Sequence, residues 1–452
     1  MKPAAKLDAN DYVIRVLQAP DEVDAAAWDA LLACQEQATP FMRHAYLQAL
    51  HASGCATPAT GWTPCFITLE HGSVLVAGCP LYLKTHSRGE YVFDQGWAQA
   101  YARNGLAYYP KALAAVPFTP VPGARLLARS AADRSALLHA VLQWCQAQKL
   151  SSLHLLFAGA EDLQACTEAG LLLRHTVQFH WTNMAPTLVA ARAALPPEGA
   201  VPCLGRPGAA AAPTLATACA ALPPEGAVPC LGRPGAAAAP ALVGGFRDFD
   251  DFLAALSQDK RKKIRQERRK VAQAGVTFRW ALGVNIAEAD WDFFYRCYQR
   301  TYLEHGNAPY LSRDFFARMA KTMLEHWLLF VAQREGRPIA TSLIAVDARA
   351  TGSVAYGRYW GALERVDCLH FEACYYQPLQ WCIEHGYRRF EGGAQGEHKM
   401  ARALLPVQAS SAHWLAEPAF ASAIDSYLQR EAQAVGDYLA DLGQHSPLRG
   451  GA

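Results

Sequence analysis

The chain has 452 residues, 52% of them hydrophobic and 18% charged, which is enough apolar material for two or three domains with large cores and excludes a disordered chain. Lys and Arg number 42 against 40 Asp and Glu, a formal net charge of +2. That balance excludes a nucleic-acid coat over the whole surface, so no DNA partner is expected and any phosphate-binding surface must be local.

The first twenty residues lack the continuous apolar core of a leader, and no stretch approaches the ~20 unbroken apolar residues that span a bilayer, so a soluble, cytoplasmic protein is expected. Tyr12–Leu17 alternates as a short strand, and residues 24–34 and 41–52 carry helical apolar spacing. Pro64–Leu69 and Val74–Leu83 flank His71-Gly72, a hairpin signal. From Thr85 to Pro122 aromatics, charges, Gly and Pro mix without clean period, which reads as a shaped loop. Residues 134–148 are predicted helical, Ser152–Phe157 a strand, 161–168 a helix and Thr176–Trp181 a strand. The twenty residues from Ala194 to Pro213 then recur from Ala221 to Pro240, rich in Ala, Pro and Gly with almost no large apolar side chains. Such a stretch cannot offset its ordering entropy, so 186–243 is expected to be a disordered linker between an N-terminal domain, 1–185, and a C-terminal one, 244–452.

In the second half, residues 249–274 and 290–304 are predicted helical. Leu328–Gln333 and Ile339–Val346 flank Glu335-Gly336-Arg337, another hairpin. Ser353–Trp360 is a strand, 370–385 a helix stopped by Gly386, Arg389–Gly392 a strand and Ser410–Leu415 a last strand. Leu142-Gln143-Trp144-Cys145 and Leu379-Gln380-Trp381-Cys382 occupy matching helix ends. The order hairpin, strand, helix, strand thus occurs twice. The fold class this predicts is α/β (α+β), two tandem copies of one module, each a mixed central sheet flanked by helices. The 13 cysteines form no CxxC pair and read as small buried hydrophobes in a reduced compartment, so no metal site is expected.

The repeated order is that of the acetyltransferase-type fold, in which a central strand and the helix after it splay a coenzyme A cleft. A helix N-terminus suits a pyrophosphate, and in the second half that place is Trp360–His370, where Gly361 and Arg365 would let a phosphate approach. The fold's usual Arg/Gln-x-x-Gly-x-Gly/Ala loop is absent. The run from Lys260 to Lys270 carries eight positive charges and one negative. It is either a solvated helix or, as like charge favours, a contact for a phosphorylated ligand such as coenzyme A, a nucleotide-linked precursor or tRNA. Residues 390–399, Phe-Glu-Gly-Gly-Ala-Gln-Gly-Glu-His-Lys, form the densest polar constellation. Glu391, Glu397 and His398 are candidates to take the proton from an attacking ammonium, against the alternative of a Gly-rich turn whose charges face water. Arg358, on a strand of aromatics, wants an anionic partner.

These segments resemble a bacterial family of predicted N-acyltransferases, often labelled Fem-like peptidoglycan biosynthesis or recognition proteins. The resemblance rests on Gly89-Glu90-Tyr91-Val92-Phe93-Asp94 with Gly96-Trp97, Tyr109-Pro110-Lys111, Gln178-Phe179-His180-Trp181, the basic run, Gly357-Arg358-Tyr359-Trp360-Gly361, His370-Phe371-Glu372 with Cys374-Tyr375-Tyr376, and residues 393–399. It covers nearly the whole chain except the repeats. Lys263 stands where such basic motifs often carry Asn. The resemblance implies two tandem acetyltransferase-like (GNAT) domains and transfer of an acyl or aminoacyl group to an amine. The donor is acyl-coenzyme A or, as in Fem-type enzymes, aminoacyl-tRNA, with no covalently bound cofactor.

The expectation that follows is a two-domain acyltransferase. Donor phosphates would meet Arg358, Gly361, Arg365, His370, Lys260, Arg261 and Arg265. Glu391, Glu397 or His398 would act as base, and Asp94, Trp97, Tyr109, Lys111, Tyr359, Gln395 and Lys399 would shape the pocket for a small-molecule or peptide amine. Two alternatives stand beside it: a non-catalytic binder of cell-wall precursors on a degenerate scaffold, and an aminoacyl-tRNA-dependent ligase.

Overall fold

The computed structural model describes residues 12–184, 245–348, 352–394 and 396–449, so the repeat-bearing segment 186–243 lies outside the described residues. In the first half the elements are β1 (Tyr12–Leu17), α1 (Ala25–Ala33), α2 (His44–Ala52), β2 (Trp62–Pro64), β3 (Phe66–His71), β4 (Val74–Cys79), β5 (Leu81–Lys84), α3 (Gln95–Arg103), β6 (Lys111–Ala114), β7 (Leu127–Ala128), α4 (Ala131–Ala147), β8 (Ser152–Leu155), α5 (Ala160–Glu168) and β9 (Leu172–Thr182). The second half adds α6 (Phe249–Ala254), α7 (Gln258–Gln273), β10 (Val276–Leu282), α8 (Glu288–Glu304), α9 (Arg313–Thr322), β11 (Trp327–Arg334), β12 (Arg337–Asp347), β13 (Val354–Ala362), the helix α10 over 369–384, β14 (Arg389–Ala394), β15 (Leu405–Leu415) and α11 (Pro418–Gln444). No helix among the described residues is long and apolar enough to cross a membrane.

Both halves place a helix between two parallel strands. β6 and β8 pair in parallel around α4, and β13 and β14 do so around α10. An antiparallel meander, β10 to β13, precedes the second unit, and β5 pairs antiparallel with β6 in the first. The last strand of each half crosses to the other: β9 lies beside β14, and β15 lies beside β8. β9 and β15 pair with each other antiparallel from Leu405↔His180 to His413↔Leu172, which joins everything into one sheet of eleven strands. A second sheet, β1-β3-β4-β7, covers the first half. The apolar core is likewise shared. Trp28, Phe41 and Tyr46 from the first half pack in one cluster with Phe294, Phe315, Trp327 and Tyr356 from the second, and each such buried side chain contributes about 1.5–3 kcal/mol.

Several elements differ from the sequence expectation. The single helix read over 249–274 is two. The chain's end pins the break, since Leu256 bridges Leu448 and the Ser257 N–H donates to the Pro447 carbonyl. The helix read over 370–385 contains a π-helical turn, Glu372–Tyr376. The segment read as a loop from Thr85 to Pro122 contains α3 and β6, and α9, β10 and α11 were not anticipated. β9 and β15 run several residues beyond the strands read there, because each pairs with two partners.

Candidate functional site

The parallel ladder between β13 and β14 stops at Tyr356↔Glu391. Beyond it the strands part, and each is bulged where they do. On β13, Ile344 pairs with Gly357 and Leu343 with Tyr359, which leaves Arg358 as the extra residue. On β14 the pairing with β9 jumps between Glu391 and Ala394, across Gly392-Gly393. A hollow of about 140 Å³ sits in the gap on the α10 side, lined among others by His370, Cys374 and Tyr375. A larger cavity of about 690 Å³ opens toward the first half, between Arg358, Tyr359 and the segment from Ser87 to Gln95. Gly357, Arg358, Tyr359 and Gly392 line both, so the gap joins them. A Cβ at 392 would overlap the end of the Leu404 side chain and press on the Phe179 carbonyl.

Arg358 is the centre of this place. Its guanidinium lies over the rings of Phe41 and Tyr359, at 5.2 and 5.1 Å, and Nη2 donates to the Phe118 carbonyl at 3.0 Å. Nε is buried without a partner. No carboxylate among the described residues pairs with it. An arginine so placed keeps hydrogen-bonding capacity for a ligand.

The wall opposite is built by the first half over a buried ionic cluster. Lys111 Nζ donates to Glu90 Oε2 at 2.7 Å, to Ser87 Oγ at 2.8 Å and to Asp94. Burial pushes the Glu90 carboxyl up to about 7. For Asp94, burial opposes ionisation but the Lys111 ammonium outweighs it and holds the group below its ordinary range. One ammonium thus serves two carboxylates, and the more deeply buried of them yields. Tyr108 donates to Asp94 at 2.7 Å and meets His154, whose Nδ1 is 2.7 Å from His413 Nδ1. Lys84, held down at about 7 by burial, stands over the Trp62 ring at 3.6 Å.

The expected site residues scatter around this geometry. Arg358 and Tyr359 line both cavities, Tyr109 lines the larger one, and His370 lines the hollow, where burial lowers it to about 4. Asp94 and Lys111 are buried behind the wall, and Trp97 packs at 5.0 Å on His413 away from the cavity. Gly361 serves packing rather than a phosphate: a Cβ there would overlap the Cys297 carbonyl of α8. Arg365 is exposed in the turn before α10. In the basic run, Lys260 and Arg261 do not line the hollow, and Arg265 faces Asp250 at 3.5 Å on the surface. The residues of α7 that reach α10 are Arg268, which donates to Glu372 and Gln380, and Glu267, which accepts from the Tyr376 hydroxyl and also pairs with Arg402, beyond β14, at 2.9 Å. Glu391 is 3% exposed; Oε1 pairs with Arg389 at 2.9 Å, and the unpartnered Oε2 lies 3.9 Å from His180 Nε2 on a separate cavity of about 800 Å³. Glu397 is exposed and accepts from Tyr438 at 2.7 Å. His398, lowered by burial, is 3.3 Å from the Tyr375 hydroxyl. Lys399 donates to the Gly393 carbonyl at 3.1 Å and is held at about 8 by burial. Gln395 lies outside the described residues.

Sequence reasoning missed Tyr375, Tyr302 and Tyr310. Cys374-Tyr375-Tyr376 on the helix after the splayed strand was the available signal for the first. Tyr91 and Phe118 belong to the aromatic stretches of the first half, whose mixed composition reads equally as the wall of an acceptor pocket between the modules or as a structural clamp, and both line the larger cavity.

Among solved structures similar to the chain, FemX is 10% identical, with 89% of this chain and 98% of FemX covered and a TM-score of 0.46. L-PGS from Bacillus licheniformis is 9% identical, with 91% and 98% covered and a TM-score of 0.47. A tandem GNAT protein from the clavulanic acid biosynthesis pathway is 9% identical, with 90% and 99% covered and a TM-score of 0.41. No curated protein matches the sequence. A family model described as FemAB-like, peptidoglycan biosynthesis/recognition, matches residues 19–187 and 242–450, most of both halves and both strands that bound the gap. The chain belongs to the FemAB-like family.

Proposed function

We propose that the protein transfers an activated acyl or aminoacyl group to an amine, with the reacting carbonyl seated in the gap between β13 and β14. The observation that carries this reading is the gap itself, a break in the ladder that joins a hollow on one face to a cavity on the other through Gly357 and Gly392. Two reactants can reach one point from opposite sides there, and proximity of that kind lowers a barrier substantially. Family membership supports the same chemistry. The donor arm would occupy the α10 side and the acceptor the larger cavity.

In the reaction the ammonium loses one proton to water, the neutral nitrogen forms a bond to the acyl carbon, and the nitrogen then gives a second proton to water as the tetrahedral intermediate forms. The carbon–sulfur or carbon–oxygen bond of the donor then breaks. Strand N–H groups that have no ladder partner beyond Tyr356↔Glu391 would stabilise the oxyanion. Tyr375 lines the hollow and would hand its proton to the leaving group, resupplied through His398, which is 3.3 Å away and exposed. Arg358 would hold an anionic group of either reactant.

Incubating the full chain with acyl-coenzyme A or aminoacyl-tRNA and a muropeptide amine, and reading the product by mass, tests the proposal. Acyl gain by the amine is expected, with Tyr375→Phe slower by about a hundredfold at unchanged folding. Absence of product with every donor overturns it. The small size of the hollow favours the second reading, a binder without catalysis; stabilisation by muropeptides alone, with no donor bound, would select that reading.

A further inference from the structure

The larger cavity has an unusual chemical balance. Among the described residues its lining contains no carboxylate, two arginines, Arg88 and Arg358, and aromatic rings from both halves. Tyr91, Tyr109, Phe118, Tyr302 and Tyr310 all line it, with Phe118 and Tyr310 stacked at 4.8 Å. A conventional carboxylate base is therefore missing from this wall, and so is any acid to bind a ligand's ammonium.

The polar groups that do reach the cavity are directional. The Lys111 ammonium has three hydrogens and no acceptor capacity, so the Ser87 hydroxyl oxygen at 2.8 Å must accept from it. The Ser87 hydroxyl hydrogen has two acceptors in reach, the Asp94 carboxylate and the Tyr109 oxygen 2.8 Å away, and an anion that draws the Tyr109 hydrogen into the cavity selects the second. Once Tyr109 accepts, its own hydrogen is left for the cavity it lines. The buried charge of Lys111 thus reaches the cavity as a hydroxyl donor rather than as an ammonium. Charge-assisted chains of this kind donate more strongly than an isolated phenol. On the other side stands Arg358, whose hydrogen bonds to described residues use Nη2 alone.

From this geometry we infer that the cavity between the halves receives an oxyanion group, a carboxylate or a phosphate monoester, on an otherwise apolar or aromatic body, held by Arg358 and by the Tyr109 hydroxyl. This names the ligand class for the cavity assigned above to the acceptor, and it rests on that reading only for the acceptor's place. The anchors are donors converging on one space, which suits oxygens bearing negative charge, while the acceptor's amine lies apart from them at the strand gap. The rings supply contact area for the body of the ligand.

Titrating the full chain with benzoate and with phenyl phosphate, against benzamide and benzylamine as neutral and cationic counterparts, tests the inference by heteronuclear NMR or calorimetry. No acyl donor is present, so a failure of transfer activity leaves this result intact, and a failure here leaves transfer at the strand gap standing. Both anions should bind at least about tenfold tighter than benzamide, and the tighter of the two identifies the preferred oxyanion. Arg358→Gln should weaken them by a further factor of about ten or more, and Tyr109→Phe by about threefold to tenfold. Tyr109→Phe removes only one hydroxyl from a partly exposed ring, so it reports even where the arginine variant folds poorly. Benzylamine binding as tightly as benzoate, no binding of either anion, or unchanged anion affinity in Tyr109→Phe would overturn the inference.

Discussion

The two halves carry the same strand-helix-strand unit, and they treat the space between the parallel strands in opposite ways. In the first half the ladder Ala112↔Leu153 to Ala114↔Leu155 is extended by the Leu156 N–H donating to the Ala114 carbonyl, and a bridge at Gly123↔Ala158 closes the strands again. Arg125, 1% exposed, fills what is left. It donates through Nε to the Leu156 carbonyl at 3.0 Å and through its terminal nitrogens to those of Gly123, Ala124 and Val121. The helix beyond is capped from within, by Ser130 accepting from the Asp133 N–H. In the second half the strands stay apart, Arg358 keeps a donor unused, and Cys368 caps its helix with no side-chain bond. One arginine thus bridges buried carbonyls, while its counterpart leaves a donor unpartnered. The gap in the second half is where a ligand can enter.

The sharpest way to break this comparison is to remove each arginine. Arg125→Met leaves four buried carbonyls short of donors and should lower stability by about 3–5 kcal/mol in denaturant titration. Arg358→Gln should cost about 1 kcal/mol or less and lose ligand binding instead. Equal stability losses would mean that the two arginines play one role. Next in size is Gly361→Ala. Its Cβ would press on the backbone carbonyl of Cys297, which cannot swing aside as a side chain can, so a loss of about 1–3 kcal/mol is expected. A silent substitution would show that α8 can move off β13 and that the gap is not rigidly framed.

Much of this frame was legible in the sequence, and the reasons are local. The hairpins at His71-Gly72 and Glu335-Gly336 and the helices around Leu142 and Leu379 follow from short-range periodicity and turn residues, and they suffice to show the duplicated order. The exchange of β9 and β15 was not legible, because which strand pairs with which is decided by contacts hundreds of residues apart. Arg358, singled out as a charged side chain on an aromatic strand, lines both cavities. The Gly-rich run 390–399 lies beside the same gap, with His398 3.3 Å from the Tyr375 hydroxyl. Gly392 borders the gap, whereas Glu391 turns to another cavity and Glu397 to Tyr438. A β-bulge and a splay decide such directions, and neither leaves a mark in composition.

The smaller effects sharpen the comparison by asking how far the difference between the halves extends. His370 lines the second hollow and is held at about 4 by burial, so the folded state binds fewer protons than the unfolded chain between about 4 and 6.5. Its contribution is complete above 6.5 and is lost as pH falls through that window. The wild type should therefore lose about 1–2 kcal/mol more than His370→Gln on going from pH 7 to pH 4, measured by urea unfolding. Parallel losses in the two proteins would place the acid sensitivity elsewhere, and the first half offers its own source in buried His154 and His413, which would persist in both. The least effect is expected at Glu397. It stands exposed beside the gap rather than in it, and its one described partner is the Tyr438 hydroxyl, so Glu397→Gln should change stability by less than about 0.5 kcal/mol and leave transfer untouched. A large loss of transfer there would carry the difference between the halves out of the strand gap and onto the rim that α11 covers, because the only group the substitution changes in kind is a carboxylate facing that helix.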